Sequence, residues 1–179
     1  MWIQRKVLFN KGGIVIKKYV LSVLVENHSG VLSKVAGLFS RRGYNIHSLT
    51  VGITEDPEIS RMTIVAIGDD YMFEQINKQL NKLIEVIKVI DLTNYSNSVY
   101  RELSLVKVSA DSNNKLLIME IANTFRANVV DMNEDSMIIE ITGNEEKISA
   151  FIELMKPYGI KESIRTGLTA LNRGSKLEG

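Results

Sequence analysis

One order of elements, strand–helix–strand–strand–helix–strand, can be read twice along the chain, and few folds satisfy it. Lys18 to Val25 is β-rich and mostly apolar, which predicts an interior strand. A turn follows at Asn27 to Gly30, and Val31, Leu32, Val35, Leu38 and Phe39 then recur at helical spacing. Arg41 and Arg42 sit in the last turn and Gly43 just beyond it. Asn45–Ile53 and Ile59–Ile67 flank the turn-forming, acidic Glu55-Asp56-Pro57 and predict two antiparallel strands. After Gly68-Asp69-Asp70, whose aspartates suit a helix start, Met72, Phe73, Ile76, Leu80 and Leu83 share one face, and Val86 to Leu92 supplies a fourth strand. Right-handed crossovers place both helices on one side of a four-stranded sheet, the ferredoxin-like βαββαβ arrangement.

Polar Thr93 to Ser98 interrupts the pattern and reads as a linker. The rhythm then restarts with strand Leu103–Val108, a helix bearing Leu117, Ile118, Ile121, Ala122 and Phe125, and strands at Asn128–Met132 and Ser136–Thr142. A second helix bears Ile148, Phe151, Ile152 and Met155 and stops before Pro157, and a strand follows near Ile160–Ile164. Asn45-Ile46-His47-Ser48-Leu49 has an echo in Asn128-Val129-Val130-Asp131-Met132. The expected class is therefore α+β, with two ferredoxin-like βαββαβ domains in tandem. The expected divisions are an N-terminal extension over 1–17, a first domain over 18–95, and a second domain with its tail over 96–179.

With 45% apolar and 24% charged residues, the chain has the composition of a globular protein rather than a disordered one. The net charge of +1 gives no reason to expect nucleic acid, and the central strands offer Ile, Val, Thr and Leu where base stacking needs aromatic residues. No apolar run reaches the roughly 18 residues of a membrane span. Residues 1–17 mix basic and apolar side chains without an apolar core and cleavage site, so they read as a ragged or appended extension. The absence of cysteine suits a reducing compartment, with cytoplasm the default.

Catalysis needs groups of matched pKa held together, and no convincing set emerges. His28 and His47 are the only histidines and form no metal-ligand spacing, and there is no phosphate-binding or dinucleotide loop. No catalytic residue and no metal ligand is assigned. Arg61 reads as a surface pairing residue. What remains is the loop before the first helix. Backbone amides at a helix N-terminus suit a carboxylate, and Gly30 lets a ligand approach them. Asn27 offers both an acceptor and donors to an amino acid. The competing reading is purely local: Asn27 makes a turn, Ser29 caps the helix and Gly30 relieves crowding. Asn45 either begins a strand or supplies a second amide.

The stretches Leu21–Val35 (LSVLVENHSGVLSKV), Leu38–Ile46 (LFSRRGYNI), Ser48–Val51 (SLTV), Ser60–Ile64 (SRMTI), Gln79–Leu83 (QLNKL), Arg101–Leu103 (REL) and Leu105–Val108 (LVKV) closely resemble the small regulatory subunit of acetolactate synthase. The resemblance implies that the first domain is an ACT domain and that the chain is a homodimer with its ACT sheets joined side by side. It implies valine bound between two chains, with Asn27, Ser29, Gly30, Val31 and Leu32 of one facing Asn45, Ile46 and Val51 of the other. It further implies docking on a large catalytic subunit that carries thiamine diphosphate, FAD and Mg²⁺, with no cofactor in this chain. His47 stands where the family commonly has an acidic residue. A free-standing amino-acid sensor acting on another partner is the alternative function, and a small ferredoxin-fold enzyme ranks below it.

Overall fold

A computed structural model describes residues 9–11, 14–94 and 96–174 of the chain. Two compact units emerge, Met1–Val99 with Leu168–Gly179, and Tyr100–Gly167.

In the first unit a short β1 (Phe9–Lys11) precedes β2 (Ile14–Glu26), α1 (Val31–Arg41), β3 (Ile46–Ile53), β4 (Ile59–Gly68), α2 (Asp70–Leu80) and β5 (Val86–Asp91). The four main strands lie in the order β5-β2-β4-β3 with every neighbour antiparallel, so β3 is an outer edge. Alternation decides what each strand buries. Leu21, Val23 and Val25 of β2 and Met62, Ile64 and Ala66 of β4 face Val31, Val35, Leu38 and Phe39 of α1 and Ile76 and Leu80 of α2. Burying each large apolar side chain of this kind stabilises the fold by about 1.5–3 kcal/mol. Val20, Ser22, Thr63 and Val65, on the opposite face of the sheet, are buried too. That two-sided burial is the physical reason β2 reads as a nearly continuous apolar row. Ser22 is satisfied there by Arg61, whose Nη1 donates to its hydroxyl at 2.8 Å. Arg61 is thus half-buried across the sheet rather than paired on the surface.

The second unit repeats the order. It comprises β6 (Ser98–Ser109), α3 (Lys115–Thr124), β7 (Asn128–Met132), β8 (Ser136–Gly143), α4 (Glu145–Met155), a 3-10 turn over Lys156–Tyr158, and β9 (Ile160–Arg165). Its sheet order is β9-β6-β8-β7. Val106, Val108, Ile118, Met137, Ile139, Ile141, Ile148, Phe151 and Met155 are among its buried residues, with Phe125 edge-on to Phe151 at 5.5 Å. Even the irregularities coincide: a bulge interrupts pairing between Ile46 and Ser48 in β3, and another between Val129 and Asp131 in β7. Helix starts match as well, since Asp69 accepts from the Met72 amide at 2.7 Å and Asn144 from the Lys147 amide at 3.0 Å.

Three expectations need correction. The polar stretch read as a linker already contains the start of β6, because Ser98, Tyr100 and Glu102 alternate inward as buried residues. The last segment leaves the second unit for the first: β10 (Thr169–Asn172) lies beside the start of β6, Ser98 donates to Asn172 Oδ1 at 3.1 Å, and the Leu168 amide donates to Ser48 Oγ at 3.2 Å. The N-terminal extension is not ragged throughout. Phe9–Lys11 pairs antiparallel with Ile14–Ile16, and Lys17 and Tyr19 both donate to Asp70 at the start of α2. Residues 1–8, 12, 13, 95 and 175–179, the last of them part of the expected C-terminal tail, lie outside the described residues.

Candidate functional site

Helix α1 starts without a side-chain cap. Its N-cap is Gly30, with φ +91°, and no side chain accepts from the first turn, which contains no acidic residue. Ser29, the capping candidate, does not cap. Left-handed backbone at this position is what glycine supplies at no steric cost. The Val31 amide reaches the His28 carbonyl only at 3.5 Å, and the first full helical bond runs from the Lys34 amide to the Gly30 carbonyl at 3.0 Å. The amides of Leu32 and Ser33 have no acceptor among the described residues. The result is a positive, donor-rich helix end that faces solvent, since residues 26–30 are all exposed.

Asn27 does more than make a turn. Its backbone amide donates to the Glu58 carbonyl at 2.7 Å, its Nδ2 donates to the Pro57 carbonyl at 2.7 Å, and its Oδ1 accepts from Ser60 Oγ at 2.9 Å. These bonds bind the loop before α1 to the acidic β3–β4 hairpin about thirty residues on. One Nδ2 hydrogen and one Oδ1 lone pair have no partner among the described residues.

The remaining expected residues divide. Leu32 (45% exposed) and Val51 (42%) present apolar side chains to solvent. Asn45 is exposed just ahead of β3, with no side-chain hydrogen bond among the described residues. Ile46 is half-buried against the core. Val31 does not fit the expectation: it is 2% exposed and part of the core, so its side chain is unavailable and only its amide remains. Among the described residues no hydrogen bond joins the group 27–32 to Asn45, Ile46 or Val51 within one chain. Both Ile46 and Val51 lie on the helix-covered face of the sheet, opposite Ala66 and Met62 of β4.

Two ion pairs flank the helix end. His28 has Nδ1 3.1 Å from the Ser29 carbonyl oxygen and Nε2 3.0 Å from Glu26 Oε2, while Lys34 pairs with Glu85. Both of the imidazole's neighbours accept, so the doubly protonated ring satisfies each. The Ser29 carbonyl and then the Glu26 carboxylate hold its pKa above the ordinary 6.5. The Lys34 ammonium holds the Glu85 carboxyl below its usual range. For a raised pKa, the stabilisation is complete below 6.5 and is lost as pH rises through the higher folded value. An NMR titration of the His28 ring protons is expected to give a midpoint above 6.5, and Glu26→Gln is expected to lower it. An unchanged midpoint in that variant would remove Glu26 as a cause.

Sequence reading missed Ser60, which is 6% exposed and joined to Asn27 across 33 positions. A serine facing inward on an otherwise apolar strand, beside a hairpin, was the signal available. Among the described residues, no group of three or more His, Cys, Asp or Glu is arranged to hold a metal ion, and no helix is long and apolar enough to cross a membrane.

Comparison with known proteins adds to this geometry. A family model described as an AHAS small subunit-like ACT domain matches residues 21–88, and one described as the small subunit of acetolactate synthase matches residues 101–174. A protein of Archaeoglobus fulgidus named "Probable acetolactate synthase small subunit" is 58% identical over 159 residues, covering 89% of this chain and 99% of its own length. The acetolactate synthase small subunit of Bacillus subtilis is 49% identical over 160 residues, covering 89% and 92%. The crystal structure of the acetolactate synthase small subunit from Thermotoga maritima superposes with a TM-score of 0.84 at 43% identity, covering 89% of this chain and 99% of that one.

Proposed function

The chain belongs to the acetolactate synthase small-subunit family, and from that premise we propose that it activates a large catalytic subunit and makes it sensitive to inhibition by valine. The observation that carries the effector half of this reading is the start of α1. It combines amides without acceptors, a glycine at positive φ where a ligand approaches, and an asparagine with one donor and one acceptor to spare. A free α-amino acid carries the matching groups, its carboxylate for the amides and its ammonium for Oδ1. The effector residues in this reading are Asn27, Ser29, Gly30, the Val31 amide and Leu32 from one chain, with Asn45, Ile46 and Val51 from a second.

The second chain joins at β3. This strand is an edge, contains no Lys, Glu or Pro, and exposes Val51 and Ile53, the features of an edge that pairs rather than one protected against pairing. Two such edges in register give the side-by-side ACT dimer. Valine then regulates by linkage: it inhibits only as far as it binds one arrangement of that dimer more tightly than another, and the preference must reach the catalytic subunit. Thiamine diphosphate, FAD and Mg²⁺ belong to the catalytic subunit, where pyruvate is condensed with pyruvate or 2-oxobutyrate. This chain contributes no catalytic residue in this reading, and its place is the cytoplasm.

Reconstitution tests the proposal. Mixing the chain with its cognate large subunit is expected to raise the rate of acetolactate formation, and added valine is expected to lower it again. If the mixture shows neither effect, the reading fails.

A further inference from the structure

We propose that Ser60 is a positioning residue for the effector site, holding the Asn27 amide in the one orientation that presents both a donor and an acceptor to the ligand. The hydrogen bonds themselves fix that orientation. The Pro57 carbonyl can only accept, so the group facing it at 2.7 Å must be Nδ2. Oδ1 is thereby turned toward Ser60, whose hydroxyl donates to it at 2.9 Å. Rotating the amide by half a turn would set oxygen against oxygen at Pro57. Ser60 is 6% exposed, so its hydroxyl has little water to turn to, and the bond to Asn27 is its natural outlet. Asn27 itself is exposed. Without Ser60 its amide oxygen would be free to hydrate and the Pro57 bond alone would hold the side chain, so binding would have to order it further.

The inference rests on the effector reading above and adds a residue that does not itself touch the ligand. Full-length Ser60→Ala and the near-isosteric Ser60→Cys are compared with the unmodified chain. L-valine binding is followed by calorimetry, the Asn27 side-chain amide by ¹⁵N-resolved NMR, and folding by the thermal midpoint. The expected result is valine binding weakened about five- to tenfold in Ser60→Ala, the range for one lost hydrogen bond, and less in Ser60→Cys. The two Asn27 side-chain amide proton resonances should each shift toward the positions of a freely hydrated asparagine. Unweakened valine binding in both variants would overturn the proposal. So would a loss of affinity with the Asn27 signals at their original positions and a lowered thermal midpoint, because that pattern is general destabilisation. If the unmodified chain itself binds no valine, the effector reading falls, and the positioning role with it. That outcome appears in a different arm of the experiment from the first two.

Discussion

Gly30→Asp is expected to raise the valine concentration for half-inhibition by about a hundredfold or more while leaving activation of the catalytic subunit within roughly twofold. A like-charge contact costs several kcal/mol where a surface change away from special features costs under about 0.5 kcal/mol. The new carboxylate would stand beside the unpartnered amides of α1, where it competes for the same donors and repels the ligand's own carboxylate. Space does not oppose it, since a Cβ built at Gly30 meets nothing within 4 Å. Backbone strain does, because φ is +91°, but Asp and Asn tolerate this region better than most residues and the cost is about 1–2 kcal/mol or less. Gly30→Asn separates the two effects, with the same strain and no charge. Asp is expected to lose far more valine sensitivity than Asn. Equal losses would make strain the cause, and intact sensitivity in both would place the effector elsewhere. The assay is acetolactate formation by the reconstituted enzyme across a valine series.

The second large effect is on folding. Phe39→Ala is expected to cost about 3–5 kcal/mol, a large part of the 5–15 kcal/mol that holds a typical domain together. Phe39 is 1% exposed and packs among β2, β4 and both helices of the first unit. The buried clusters of the two units share no residue, so the loss should be local. Hydrogen exchange read by mass spectrometry checks this: amides of residues 14–91 should lose protection while those of 100–165 keep most of theirs. Phe151→Ala should reverse the pattern. Equal loss in both regions would mean that the units unfold as one.

Most of the fold was legible because burial imposes a period. β2, β4, α1 and α4 each present apolar residues at their own spacing, and both βαββαβ units follow from that alone. The segments that sequence reading missed are those that bury polar residues or are very short. The first residues of β6 open on Ser98 and carry Glu102 inward, ahead of the apolar run that reads as a strand from Leu103, and β10 is four residues held partly by side-chain hydrogen bonds to Ser98 and Ser48. Neither leaves a periodic apolar trace. The candidate site was legible in composition but not in geometry. Asn27, Gly30 and Asn45 could be named from their chemistry, but spacing also favoured Ser29 as a cap, and the structure gives that position to Gly30. Val31 was counted with its neighbours although its side chain points into the core. The ties from Asn27 to Pro57 and Ser60 join residues about thirty positions apart, beyond any local pattern.

The bulge at His47 has a consequence for parity. Ile46 and Val51 are five positions apart, an odd interval, and in an unbroken strand they would point to opposite faces. The one unpaired residue between them makes the effective interval even, which is why both stand opposite core residues of β4. Deleting His47 would therefore remove the bulge and leave the facing as it is, because Ile46 would stand four positions from Val51, an even interval in an unbroken strand. Drawing His47 into a regular ladder would instead invert the facing of everything before it, turning Ile46 away from Val51 while the remainder of β3 stayed in place.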